Sequence, residues 1–190
     1  MISLPERLRH ETRPEHEQTE VLFYTESLQN GTLTVGKYSH LLRTHLVFHR
    51  ALESAIDRYP AFFQEYDATN RQKTPWLLAD LAALHVPEPQ ESVNLFADWS
   101  PVELLGAAYV GEGSMLGGTV IWKMLQHNQA VLPLLTHARF FRGYGSETGT
   151  RWRTFSAFLV QRGVDFPDEV VTSAKHAFTA YQTVFQQTKE

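Results

Sequence analysis

Leu104–Gly118 reads LLGAAYVGEGSMLGG. Its apolar residues suit a buried helix, yet glycine recurs at 106, 111, 113, 117 and 118. A glycine in a helix interior costs about 1 kcal/mol relative to alanine. So dense a set persists only where the missing side chains allow something to come close. Gly113 and Gly117 are one turn apart and share a face, with Gly118 next to it. Two partners fit that face: another helix packed through small residues, or a flat ligand laid on bare backbone. The stretch alone does not choose between them.

Working outward, Ser100-Pro101-Val102-Glu103 is a capping box with proline in the first turn, so the glycine-bearing helix starts there and runs to about Gln126. Pro133 interrupts the segment after it, and Phe140–Gly149, FFRGYGSETG, reads as loop. Arg151–Arg162 is expected to be a helix. Asp165-Phe166-Pro167-Asp168 caps a last one that reaches about Gln187. Upstream, Val35, Tyr38, Leu41, Leu42, Phe48, Leu52, Ala55 and Ile56 recur at three- and four-residue steps, an amphipathic helix over 35–58 that Pro60 stops. Residues 61–73 have no clear period. Thr74-Pro75 opens a short helix, Trp76–Leu84, closed by Pro87 and Pro89. Residues 4–28 read as helix in two pieces, capped by Ser3 and restarted by a second capping box, Thr12-Arg13-Pro14-Glu15. No alternating apolar run long enough for a sheet appears, and no repeat or linker divides the chain. The expectation is an all-α fold, one domain over 1–190.

Composition narrows the function. At 43% hydrophobic residues the chain fits an ordered globular protein. A formal net charge of -4 and a pI of about 6.1 give no reason to expect nucleic acid or an anionic membrane as partner. The absence of cysteine excludes disulfides, thiolate ligands, cysteine nucleophiles and iron–sulfur clusters. The polar N-terminus has no signal-peptide core and no run is long enough to span a bilayer, so a soluble, cytoplasmic protein is expected.

Of nine histidines, His16 stands out because Glu20 comes one turn later. A carboxylate beside an imidazole fixes its tautomer and raises its basicity, as partners of metal-bound histidines do; a solvated polar pair has the same spacing. His45 and His49 are also one turn apart and could suit zinc or di-iron, but no Glu-x-x-His motif accompanies them. HEQTE at 16–20 lacks the second histidine of the zinc-protease motif. One histidine on an N-terminal helix and one glycine-rich helix mid-chain together suit haem held between two helices, with a single axial imidazole and an open sixth position for O2.

These residues resemble the haem oxygenases, in particular bacterial forms found beside bacteriophytochromes. Leu8-Arg9 through Glu20 is similar to the family's proximal-histidine segment, and Tyr38 through Glu53 to its second long helix. Tyr109–Gly118 is similar to its distal helix. Tyr144-Gly145, Gly149, Trp152 and Ala174–Phe178 resemble its C-terminal part. The resemblance implies that haem b is both cofactor and substrate, opened to biliverdin, CO and ferrous iron with O2 and electrons from an external donor. That donor would be a ferredoxin or other reductase, and a phytochrome could accept the bilin. It implies His16 as iron ligand, Glu20 as its partner, Gly113 and Gly117 as the close approach of the distal helix, Phe178 as pocket wall, and Arg9 and Arg153 as propionate partners. Many relatives place an aspartate after the first distal glycine; here Ser114 stands there, and it can hold water but cannot act as a carboxylate. Where relatives often have tyrosine, this chain has His49. His49 or Ser114 is therefore expected to order distal water. Arg139, Arg142, Arg151 and Arg153 could form a basic docking face for the electron donor. Two alternatives are a non-catalytic haem- or bilin-binding protein on the same fold, and a thiamin-degrading or di-iron enzyme on a related one.

Overall fold

The computed structural model describes residues 2–89 and 95–189, and among these there is no β-strand. The α-helices among the described residues are, in order, α1 Leu4–Glu11, α2 Arg13–Leu22, α3 Thr25–Gln29, α4 Val35–Ile56, α5 Thr74–Ala83, α6 Pro101–Gln126, α7 Thr148–Gly163 and α8 Pro167–Gln187. None is long and apolar enough to cross a membrane.

Local chemistry sets most boundaries. The capping boxes at Ser3 and Ser100 both form, with Glu6 and Glu103 reaching back to the cap backbone. The one expected at Thr12 does not: its Oγ1 donates to the Leu8 carbonyl at 2.8 Å. Only one residue separates α1 from α2, so the last carbonyls of α1 are the nearer partner. The N-terminal unit also breaks a second time. Tyr24 takes a left-handed backbone, φ 62°, and separates α2 from α3. Its hydroxyl meets His40 Nδ1 at 2.8 Å and its ring packs on Phe185, contacts that hold a conformation tyrosine seldom adopts. In 61–73 the chain forms two short 3-10 turns, Gln64–Tyr66 and Ala68–Arg71. α7 begins at Thr148, a turn earlier than expected, so Gly149 is helical rather than loop.

α6 runs through the middle of the molecule and packs on α8, α7 and α4. Its glycines divide by face. At Gly106 an added methyl group would collide with Ser173 Oγ and stand 2.5 Å from Ala174 N and 2.6 Å from the Val170 carbonyl. At Gly111 it would lie 2.9 Å from Leu52 Cδ2 on α4. These two positions let helices touch. At Gly113 and Gly117 an added methyl would meet nothing within 4 Å.

Just before Gly113, Glu112 points away from that open face and is buried. It accepts from Arg71 Nη1 at 2.7 Å, Lys73 Nζ, Tyr144 Oη at 3.1 Å and Tyr66 Oη at 3.3 Å. A buried carboxylate survives only with such partners. The cluster ties segments 66–73 and 144 to the middle of α6, and so fixes where its bare face points.

Candidate functional site

That bare face looks into a slot of about 360 Å3. Gly113, Ser114 and Gly117 line it with Val110 and Ile121 of α6, and so do His16, Thr19 and Glu20 of α2, Phe23 just after that helix, and Phe178 of α8. His45, Phe140, Phe141 and Tyr181 close the inner end. The size falls within the range of small-molecule and cofactor sites, about 300–1,000 Å3. The walls are mostly apolar, as a porphyrin requires.

His16 stands at the mouth with its side chain 54% exposed. Its Nδ1 lies 3.7 Å from Glu20 Oε2, which leaves Nε2 as the nitrogen without that partner. The ring meets Phe178 edge-on, centroids 5.7 Å apart. An imidazole and a helix backbone without side chains in the lining of one slot fit a flat metallated ring: a nitrogen to bind the metal, and room that a β-carbon at 113 or 117 would enter.

The family model described as Heme oxygenase matches residues 2–187. A curated heme oxygenase of Xanthomonas campestris pv. campestris (strain 8004) is 30% identical over 141 residues, 72% of this chain and 80% of that protein. The chain belongs to the haem oxygenase family. Two solved haem oxygenases share the fold. The one from Leptospira interrogans superposes with a TM-score of 0.82 at 20% identity, covering 97% of this chain and 99% of that one. The NO- and CO-bound one from Neisseria meningitidis gives 0.77 at 20% identity, covering 99% and 92%. As a haem oxygenase the protein is an enzyme that degrades haem, on an all-helical fold.

The slot brings together His16, Glu20, Gly113, Ser114, Gly117 and Phe178. His49 is behind it, buried, with Nε2 3.5 Å from Ser114 Oγ and 3.3 Å from Tyr181 Oη. Arg9 and Arg153 are exposed and do not line it. Burial raises the phenol of Tyr109, one turn before Gly113, and Arg9 is close enough for its charge to oppose that rise; Arg153 hydrogen-bonds Thr150 on α7. Of the expected basic face, Arg151 is paired with Glu147 at 3.2 Å and Asp67 at 3.4 Å, and Arg142 lies over Trp122 and donates to the Leu135 carbonyl.

Sequence reading passed over His45, Tyr181, Phe140 and Phe141 as parts of this haem oxygenase pocket. The usable signal was the pair His45 and His49 on the buried face of α4, which calls for a polar partner inside the core. The two phenylalanines are held from a distance. Asp80 on α5 accepts the Arg139 and Phe140 amides at 2.8 and 2.9 Å, which sets the turn that delivers both rings. Burial raises the Asp80 carboxyl to about 6, against the opposing pull of those amides. The fold therefore holds its proton more tightly than the unfolded chain, whose value is about 3.9. That contribution is full below about pH 4 and is lost as pH rises through about 6. Asp80→Asn should remove this fall, seen as a flatter urea midpoint between pH 4 and 7 than in the wild type.

Proposed function

We propose that the slot binds haem, which His16 would hold by its iron through Nε2, with Glu20 ordering Nδ1 and Phe178 forming part of the pocket wall. The observation that carries this reading is that His16 and the two unobstructed glycine positions line one slot. When bound, haem supplies the site for O2 and electrons and is itself opened to biliverdin, with loss of CO and ferrous iron. The chain supplies position and polarity. Gly113 and Gly117 let the backbone of α6 lie against the ring, which bars bulky ligands and limits how far a small one can tilt. Ser114 and His49 order water on that side. Burial, then the charge of Lys73, hold His49 well below its ordinary value, so it is neutral there and both donates and accepts. Arg9, exposed near Tyr109 and outside the slot's lining, is the cation offered to an acidic edge of the ring. Electrons come from an external protein donor, and the protein works in the cytoplasm.

The protein reconstituted with haemin and given ascorbate or a ferredoxin reducing system in air, with catalase present, should lose its Soret band and gain a bilin band. A Soret band that persists would mark a haem carrier. His49→Ala should slow that conversion by about 10–100-fold while haemin binding stays as in the wild type. Equal single-turnover rates would remove His49 from the chemistry.

A further inference from the structure

The hydroxyl groups that line the slot have their hydrogens directed away from it. Thr19 Oγ1 donates to the Glu15 carbonyl at 2.8 Å and Thr25 Oγ1 to the Glu20 carbonyl. Ser114 Oγ donates to the Gly111 carbonyl at 2.6 Å. At the inner end Tyr181 Oη sits between two buried imidazoles, 2.5 Å from His45 Nδ1 and 3.3 Å from His49 Nε2. Ser114 Oγ has given its hydrogen to Gly111, so toward His49 Nε2, 3.5 Å away, it can only accept, which puts the proton of His49 on Nε2. Tyr181 Oη shares that hydrogen as an acceptor and gives its own to His45 Nδ1.

With Nδ1 accepting, a neutral His45 carries its proton on Nε2. Burial drives the His45 imidazole down to about 3, so it is neutral at any ordinary pH. Its ring is packed by Phe23, Phe140, Phe141 and Tyr181, and it lines the slot. Among the described residues Tyr181 is its hydrogen-bond partner.

We propose that His45 Nε2–H is the fixed hydrogen-bond donor at the inner wall of the slot for a small polar ligand (water or a diatomic molecule), with Tyr181 and His49 as the positioning residues that set its tautomer. The identity of that ligand rests on the haem reading above. A neutral imidazole N–H orients its ligand and stabilises negative charge on it. It does not itself give up a proton, so it is distinct from the water-ordering role of His49.

Two measurements test this. In the apoprotein, 15N-resolved imidazole spectra should show His45 as the neutral Nε2–H tautomer down to pH 5, and Tyr181→Phe should convert it to a mixture or to Nδ1–H. A wild-type His45 in the Nδ1–H form overturns the proposal without reference to haem. In the haem-loaded protein under carbon monoxide, the C–O stretch should rise in His45→Leu and return part of the way in His45→Gln, which keeps a donor if the leucine variant folds poorly. An unchanged stretch in a protein that binds haemin overturns the donor role. Failure of the wild type to bind haemin overturns the haem reading instead, whatever the tautomer.

Discussion

His16→Ala is expected to lose turnover by more than about a hundredfold while the apoprotein unfolds where the wild type does. The two halves of that expectation come from different properties of one side chain. Removing groups that merely orient a metal-bound histidine costs about 10–100-fold, so loss of the only imidazole facing the metal from α2 should exceed that. Stability should hold because the side chain is 54% exposed and its approach to Glu20 is 3.7 Å. An exposed pair of that kind contributes about 0–1 kcal/mol. Haemin should still enter the slot, since Phe178, Phe23 and the bare face of α6 remain, but its Soret band should shift and added imidazole should restore it. Glu20→Gln keeps a hydrogen-bonding partner at Nδ1 and should show only a small part of the loss. A His16→Ala protein that degrades haem at the wild-type rate without added imidazole would end the assignment.

His16, Glu20, Gly113 and Gly117 stand out in the sequence because each belongs to a short periodic pattern, whereas Phe178 is named only through the family resemblance; all five line the slot. A carboxylate one turn after a histidine and a repeat of glycine on one face both survive without knowledge of the fold. The same is true of α4, α6 and the caps at Ser3 and Ser100, where backbone amides are satisfied by residues three positions away. What stayed hidden depends on contacts between distant segments. The tyrosine between His45 and His49 comes from α8, some 130 positions later in the chain. Phe140 and Phe141 looked like loop because their placement is written in Asp80, not in their own neighbourhood. Thr12 misled because a side-chain cap has to compete with any nearer carbonyl, and α1 supplied one.

Alanine substitutions at Gly106 and at Gly113 should move stability in opposite directions, which no general glycine rule would give. Both lie inside α6, where alanine is favoured over glycine by about 1 kcal/mol. At 106 that preference is overwhelmed. The new methyl would stand 2.5 Å from the Ala174 amide and 2.6 Å from the Val170 carbonyl, both backbone atoms of α8. Backbone cannot swing aside as a flexible side chain can, so α6 and α8 must separate and the surrounding core must open. Overpacking of this severity should cost about 3 kcal/mol or more. At 113 the methyl meets no atom within 4 Å, so the apoprotein should gain about 0.4–1 kcal/mol. The same methyl occupies the space reserved for the ring, so haemin affinity should fall in the more stable protein. Urea midpoints of the two apoproteins, with a haemin titration of the second, decide the matter. A Gly113→Ala apoprotein less stable than the wild type would mean that this face is already filled by protein, and the slot would lose its wall.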